Sequence, residues 1–335
     1  MSDKIRLKDI AEKTEVSIVT VSNALSGKKG VSPSLRKNII QTAREMGFDF
    51  AKYMNRSVPG KSISVIMPAE YVRAGTSFYW QIYQRAAKEI SKNEGFTILE
   101  LVRREDEEEG RIPSGILEME NDAVLLIGSF GKQYMKLLRE KIHIPIVLLD
   151  CMNNGISADA VVSDNYNGMY RMTKYLMDAG HREIGFVGSR SLGTAIDDRY
   201  FGYRKAHAAK KIGIRKEWVL EDRDSCNGER KIRLPEQLPT AFVCSSDYSA
   251  LILSRELTKR GLRVPEDISV VGFDDLMDDD PFLNSLTTYH VDTDRMCEEA
   301  VRMLMGKILH ESEEMEIRHI DGQIIERASV KKLRK

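Results

Sequence analysis

The sequence predicts an α/β protein with a small helical head followed by a body of parallel β-sheets. The first 47 residues contain three amphipathic helical patterns, and from Ser62 onward short apolar strands alternate with helices. Such alternation is typical of parallel sheets with helices on both faces. It continues for about 270 residues, more than one sheet of this type normally uses, so we expect two stacked doubly wound subdomains. Ligands bind beyond the carboxyl ends of such strands, which predicts a cleft between the two sheets.

The first two helices of the head are predicted over Leu7 to Thr14 and about Ile18 to Leu25, with Ser17 as N-cap of the second. Steps of about 100° divide the second helix into two arcs. The inner arc contains Val21, Ala24 and Leu25, and the outward arc contains Ile18, Val19, Ser22 and Asn23. Apolar and short polar groups suit the DNA major groove, so the pattern indicates a helix-turn-helix. A plain helical hairpin with Ile18 and Val19 in its core has the same spacing.

The remainder of the head contains a basic turn and a third helix. Lys28 and Lys29 lie between two glycines, where they are candidates for phosphate contacts. The third helix begins at Ser32-Pro33 and ends at Gly47. We therefore predict a DNA-binding head over residues 1–47, a connector over 48–61 and a body over 62–335.

Charge is distributed unevenly along a chain of 335 residues whose formal net charge is zero. From Met1 to Arg56 there are 11 Lys/Arg and 6 Asp/Glu, so this region carries about +5 and the remainder about −5. A basic head on an acidic body predicts a polyanionic partner for the head alone.

Several classes of protein are disfavoured by the sequence. No apolar run approaches the roughly 18 residues of a membrane span, and the first 20 residues are too charged for a signal peptide. The four cysteines have neither metal-ligand nor disulfide-framework spacing. We expect a cytoplasmic protein without metal, cofactor or membrane partner. An enzyme is the competing hypothesis, but the sequence has no phosphate loop or nucleophile elbow, and Gly185 and Gly188 lack the dinucleotide-binding spacing.

A family resemblance extends over nearly the whole chain. The segment from Leu7 to Phe48 resembles the DNA-binding head of the lactose-repressor (LacI/GalR) family of bacterial regulators. The matching motifs of the body are Ser77-Phe78-Tyr79, Val162-Ser163-Asp164-Asn165, Asp198-Arg199 with Gly202-Tyr203, the stretch from Val264 to Asp275, and Leu286-Thr287-Thr288. These motifs keep the order and approximate spacing of the family.

The resemblance implies a repressor that binds a near-palindromic operator as a homodimer or a tetramer. It implies a body like a periplasmic sugar-binding protein, in which three crossovers join two hinged subdomains. The expected subdomains are residues 62–163 with 292–321, and 164–291 with 322–335. A small molecule in the cleft, a sugar or sugar derivative, would control the affinity for operator DNA.

The resemblance also assigns residues. The DNA-binding positions are Ile18, Val19 and Asn23 for bases, and Ser17, Thr20 and Ser22 for phosphates. The effector-binding positions are Phe78, Tyr79, Asp150, Arg199, Asp247 and Asp274. Aromatic rings cover the apolar face of a sugar, and an arginine with an aspartate can hold vicinal hydroxyls. Two purely structural alternatives remain open. Phe78 and Tyr79 could be core residues, and Arg199 and Asp247 could form a structural salt bridge.

This chain departs from the family pattern mainly in the connector. Phe50-Ala51 and Met54-Asn55 replace the usual pairs, and Ser57 stands where a leucine normally wedges into the minor groove. Serine is a poor wedge, so either Met54 or Tyr53 takes over or the operator is bent less. In the body, Ser246 replaces an asparagine, and the segment from Arg215 to Leu238 is short. A regulator that answers to a protein partner, or to no ligand, is the alternative function.

Overall fold

The structure is a computed structural model that describes residues 5–25, 31–48, 60–72, 78–152, 156–190, 194–223, 231–276, 279–309 and 314–333. The chain divides into two compact units, Met1–Lys61 and Ser62–Lys335, and each is described by itself. Lys28, Lys29 and the connector positions from Phe50 to Ser57 lie outside the described residues.

The head unit contains three helices, α1 (Leu7–Thr14), α2 (Ile18–Leu25) and α3 (Pro33–Glu45). Ser17 caps α2, because its hydroxyl accepts a hydrogen bond of 3.0 Å from the Thr20 N–H. Gly47 follows α3 with a φ of +76°, a left-handed conformation that ends the helix. The apolar stripes of the three helices meet in one small core, which contains Ile10, Ala11, Val21, Ala24, Ile39 and Ala43.

The body contains two sheets of six strands each. The strands of the first sheet are β1 (Lys61–Pro68), β2 (Gly95–Val102), β3 (Ala123–Ile127), β4 (Ile146–Leu149), β5 (Asp159–Ser163) and β11 (Ile317–Ile320). Their order is β11-β5-β4-β3-β1-β2, and the neighbours from β11 to β1 pair in parallel. All five positions of β3 are buried, as expected for a parallel strand with helices over both faces.

The second sheet has the order β12-β10-β9-β8-β6-β7. Its strands pair in parallel except for the antiparallel pair of β10 and β12. The strands are β6 (Ile184–Val187), β7 (Val219–Leu220), β8 (Ala241–Cys244), β9 (Ser269–Asp274), β10 (Thr287–His290) and β12 (Gln323–Ile325). The chain thus passes between the sheets three times, after β5, after β10 and after β11.

The helices of the body are α4 (Phe78–Lys92), α5 (Arg104–Glu108), α6 (Ser114–Glu118), α7 (Lys132–Lys141), α8 (Asn165–Asp178), α9 (Thr194–Lys210), α10 (Asp247–Lys259), α11 (Pro281–Ser285) and α12 (Thr293–Ile308). The predicted class, a helical head with two parallel-sheet subdomains, is confirmed. Two short helices, α6 and α11, were not predicted. No helix within the described ranges is both long and apolar enough to cross a membrane.

Candidate functional site

The outward face of α2 is an exposed apolar surface. Ile18 is 48% exposed and Val19 is 67% exposed, whereas Val21 and Ala24 on the opposite face are buried. Asn23 is half-buried and lies on the same helix. The structure therefore does not show the hairpin alternative in which Ile18 and Val19 form the core of the head.

The polar groups around this face lie at the start of α2. The hydroxyls of Ser17 and Thr20 are 2.8 Å apart, and Ser22 follows Thr20 by two residues. No side chain of α2 carries a charge. The positive end of the helix dipole at Ser17 therefore has no competing carboxylate on this helix, which favours an approaching phosphate.

In the body, one wall of the cleft is built around Asp150, directly after β4. Asp150 has a φ of +57° and is 2% exposed. Burial raises the pKa of its carboxyl to about 6, although the positive charge of Arg199 and a hydrogen bond from Tyr79 act in the opposite direction. Its Oδ1 atom is buried and has no hydrogen-bond partner in the described chain. A buried acceptor without a donor costs free energy, so Oδ1 is a position where a ligand can donate.

Aromatic rings form the adjacent part of this wall. Tyr79, in the first turn of α4, stacks on Tyr71 with ring centroids 4.0 Å apart and an interplanar angle of 11°. Phe78 touches Tyr79 edge-on with centroids 5.4 Å apart. Gly128, at a φ of +79°, leaves room for the stack, because a Cβ there would lie 2.3 Å from the Tyr71 ring. Only Tyr79 of the predicted aromatic pair hydrogen-bonds to Asp150, and Phe78 supports it from the side.

The opposite wall is organised by Arg199, which is 5% exposed. Its Nε donates to Asn165 Oδ1 at 2.7 Å, and its Nη1 donates to the Ser245 carbonyl and to Asp274 Oδ1, the latter at 3.2 Å. The guanidinium also lies 3.8 Å from the centroid of the Phe273 ring. These contacts hold one planar cation at the carboxyl ends of β8 and β9.

Asp247 serves a different part of the network. It begins α10, and its two carboxylate oxygens accept hydrogen bonds from the Thr288 hydroxyl at 2.6 Å and the Leu276 N–H at 2.7 Å. Burial, followed by the charge of Asp274, raises its pKa well above the usual range. Arg199 therefore pairs directly with Asp274, and the alternative of a structural salt bridge between Arg199 and Asp247 is not seen between these described residues.

The two walls are electrostatically close. The positive charge of Arg199 lowers the pKa values of both Tyr79 and Asp150, while burial raises them. The negative charge of Asp274 also acts on Tyr79. Tyr79, Asp150, Arg199 and Asp274, all predicted from the sequence, thus meet across one cleft.

Two cavities are lined in part by residues that follow strands of the two sheets. A cavity of about 430 Å³ lies beside Asp150 and reaches Asn165, Thr194 and Asp198. A wider groove of about 1340 Å³ lies on another side and is lined by Ser129 and Arg223, among others. The Nε atom of Arg223 is buried without a hydrogen-bond partner in the described chain. Among the described residues, no group of three or more His, Cys, Asp or Glu side chains could hold a metal ion.

Sequence reasoning missed three residues of the cleft. Tyr71 lies in a short 3₁₀ turn after β1, Asn165 begins α8, and Arg223 follows β7. The common signal is a polar or aromatic residue just beyond the carboxyl end of a strand, which is where ligands of such sheets bind.

Comparison with known families agrees with this architecture in both units. The profile described as "Bacterial regulatory proteins, lacI family" matches residues 6–49, and "Periplasmic binding protein-like domain" matches residues 173–330. The HTH-type transcriptional repressor PurR of Pasteurella multocida (strain Pm70) is 27% identical over 334 residues, covering 97% of this chain and 98% of that protein.

Two solved structures have the same fold. A transcriptional regulator CelR-cellobiose complex has a TM-score of 0.67 at 22% identity, covering 97% of this chain and 100% of that chain. The lac repressor dimer bound to operator and the anti-inducer ONPF has a TM-score of 0.68 at 19% identity, covering 98% and 100%. The likeness extends over head and body together.

Proposed function

From the premise that this chain belongs to the lacI family of bacterial regulatory proteins and is a DNA-binding transcriptional regulator, we propose that it acts as a repressor. A small molecule bound in the cleft of the body sets its affinity for operator DNA. A sugar or sugar derivative is the proposed class of effector. The observation that carries the DNA-binding part is the exposure of Ile18 and Val19 on α2.

The proposed DNA contacts divide into two groups. Ile18, Val19 and Asn23 read base edges in the major groove, where an amide can bond to adenine and apolar tips contact thymine methyls. The phosphate contacts are assigned to Ser17, Thr20, Ser22, Lys28 and Lys29. One short helix reads only a few base pairs, and two copies of the head on a near-palindromic operator would double the number of base contacts. We therefore propose a homodimer or a tetramer of dimers.

The effector part is supported by unused hydrogen-bonding capacity in the cleft. Asp150 Oδ1 is buried and has no donor within the described chain. The Nε and Nη1 of Arg199, by contrast, already donate to protein acceptors. Tyr79 adds an aromatic face beside them. A polyhydroxylated ring can donate to the carboxylate and cover the aromatic face. The CelR structure holds cellobiose, which makes that sugar a natural first probe.

The DNA-binding proposal is tested by selecting duplexes from a random library with the purified full-length protein. Fluorescence anisotropy on the enriched duplex then measures affinity. We expect a near-palindromic preference and an affinity that falls steeply with salt, because phosphate contacts release counterions. Equal affinity for all duplexes would contradict the proposal.

Asn23→Ala sharpens this test. It removes one amide from the outward face and is expected to cost about 1–3 kcal/mol of discrimination at one base pair. Gln41→Ala is the matched control, because Gln41 is an exposed amide of α3 whose side chain donates to Glu45 at 3.3 Å. Unchanged base preference in the Asn23 variant would remove this residue from the readout.

Effector control is tested with the same duplex. Cellobiose, other neutral sugars and sugar derivatives are added, and both the melting midpoint and the anisotropy are measured, because a ligand of the folded state must raise the midpoint. A compound that shifts both supports effector control. Shifts from no compound would favour the alternative, a regulator that answers to a protein partner or to no ligand.

A further inference from the structure

The cavity of about 430 Å³ beside Asp150 has a one-sided charge. Three carboxylates line it, those of Asp150, Asp164 and Asp198, and His319 is its one basic side chain among the described residues. Its volume is within the range of small-molecule sites. Arg199 is not among the lining residues, but it bonds to the lining residue Asn165 at 2.7 Å and its charge acts on Asp150 and Asp198, while its own ion pair is with Asp274.

Two of the three carboxylates have unused acceptor capacity. Asp164 caps α8 and accepts from the Asn167 N–H at 3.2 Å and from the Asn167 side-chain amide. Asp150, by contrast, is only 2% exposed, and its buried Oδ1 atom has no donor within the described chain. Asp198 has no hydrogen bond or ion pair to the described residues. Burial, followed by the negative charge of Asp197, raises the pKa of Asp198, while interactions with His319 and Arg199 act in the opposite direction.

We propose that this cavity selects the effector by charge: it accepts a donor-rich ligand without an anionic group and prefers a ligand with a protonated amine near Asp198. The inference rests on the proposed function and narrows its effector from any sugar derivative to neutral and cationic ones. A hydroxyl can donate to Asp150 Oδ1, and an ammonium group adds a charge-assisted hydrogen bond to Asp198. A phosphate or carboxylate would bring a fourth negative group into a space that has no lysine or arginine among the described lining residues.

The wide groove provides the contrasting site. Arg104, Lys132, Arg223, Lys231 and Arg233 contribute to its lining, together with four glutamates. An anionic ligand of this cleft would therefore favour the groove over the cavity. This difference in charge makes the location of a ligand testable from its chemistry.

The experiment uses the full-length protein and four compounds that share one ring: glucosamine, glucose, glucose 6-phosphate and glucuronate. Melting midpoints are measured at about 50 mM, where even a millimolar ligand raises the midpoint, and calorimetry gives the dissociation constants. We expect glucosamine to bind about tenfold more tightly than glucose, as a charge-assisted bond would provide. The two anions are expected to produce no shift.

Asp198→Asn keeps the shape of the side chain and removes its charge. It is expected to reduce the preference for glucosamine to within about twofold, while the affinity for glucose changes by less than about threefold. Asp197→Asn is the matched control. Asp197 is the neighbouring residue, but its carboxylate binds the exposed Arg190 at 3.0 Å and does not line the cavity. The control is expected to keep the full amine preference.

Each contrary result overturns the proposal. Binding of an anionic compound would overturn it, and loss of that binding in Arg223→Ala would place the effector in the wide groove. The proposal would also be overturned by equal affinity for glucosamine and glucose, by retention of the amine preference in Asp198→Asn, or by the absence of a shift with every compound. Failure of the proposed function can be distinguished from failure of this inference. In that case the wild-type protein would show no sequence preference, or no compound would change its binding to the selected duplex.

Discussion

The outward face of α2 and the wall of the cleft both depart from the usual pattern of burial, in opposite directions. On α2 two aliphatic side chains stand in solvent, with Ile18 48% and Val19 67% exposed. In the cleft two ionisable side chains are nearly sealed, with Asp150 2% and Arg199 5% exposed. Charged residues are rarely buried unless paired, and exposed aliphatic pairs are often binding surfaces. DNA can cover the exposed aliphatic face of α2, and a small ligand can donate to the buried carboxylate of the cleft.

The difference between the regions lies in how each is connected to the fold. The outward face of α2 uses residues of fewer than two turns, and the exposed side chains of Ile18 and Val19 are not part of the core of the head. The Arg199 network joins residues that are 34 to 75 positions apart in the chain. Changes on the outward face of α2 should therefore alter recognition without altering stability, whereas changes in the cleft should alter both. The predictions below separate these two cases.

Arg199→Ala is expected to have the largest effect. It removes the donor shared by Asn165, the Ser245 carbonyl and Asp274, and breaking a buried ion pair on one side typically costs about 3–5 kcal/mol. Urea unfolding followed by circular dichroism measures the loss. Arg190→Ala is the control, because that guanidinium is 42% exposed and its pair should contribute less than about 1 kcal/mol. Equal free energies of unfolding for the two variants would show that the cleft network does not stabilise the body.

Asp150→Asn is expected to stabilise the ligand-free protein and to abolish its response to effector. The pKa of Asp150 is raised from 3.8 to about 6 by burial, so the folded state disfavours the carboxylate. A raised carboxyl pKa means that wild-type stability falls as the pH rises from about 4 to about 6, by up to about 3 kcal/mol. Asparagine tolerates the positive φ of this position.

The measurement is urea unfolding of wild type and Asp150→Asn at two pH values. The variant should be more stable by about 1–3 kcal/mol near pH 8, and the difference should vanish near pH 4. A variant that is less stable near pH 8 would mean that the ionised carboxylate has donors which the cleft does not reveal.

Much of the head could be predicted from the sequence, because its determinants are local. The N-cap at Ser17, the helix end at Gly47 and the two arcs of α2 each depend on residues within a few positions of one another. The alternation of strands and helices likewise predicted most strands of both sheets, but not β7, which has only two residues. Short helices such as α6 and α11 were missed because five residues give too little periodicity to distinguish a helical turn from a loop.

The cleft could be predicted only in part. Resemblance suggested Tyr79, Asp150, Arg199 and Asp274, and the structure brings them together. It could not show that Arg199 pairs with Asp274, nor that Thr288 and Leu276 take both oxygens of Asp247. These contacts depend on the register of neighbouring strands. Gly272 illustrates the point: a Cβ there would lie 2.0 Å from the Asp247 carboxylate, a constraint between strand and helix that no local pattern contains.

Val19→Ala is expected to have the smallest effect on stability and therefore tests the comparison most sharply. Val19 is largely exposed, so its free energy of unfolding should change by less than about 0.5 kcal/mol, while operator affinity should fall by about 1–2 kcal/mol. Val21→Ala is the matched change on the opposite face of the same helix, where the side chain is fully buried. It should cost about 1–3 kcal/mol of stability. If Val19→Ala weakened folding as much as Val21→Ala and left operator affinity unchanged, the exposed face of α2 would be structural, and the base-reading role would have to move to another element of the head.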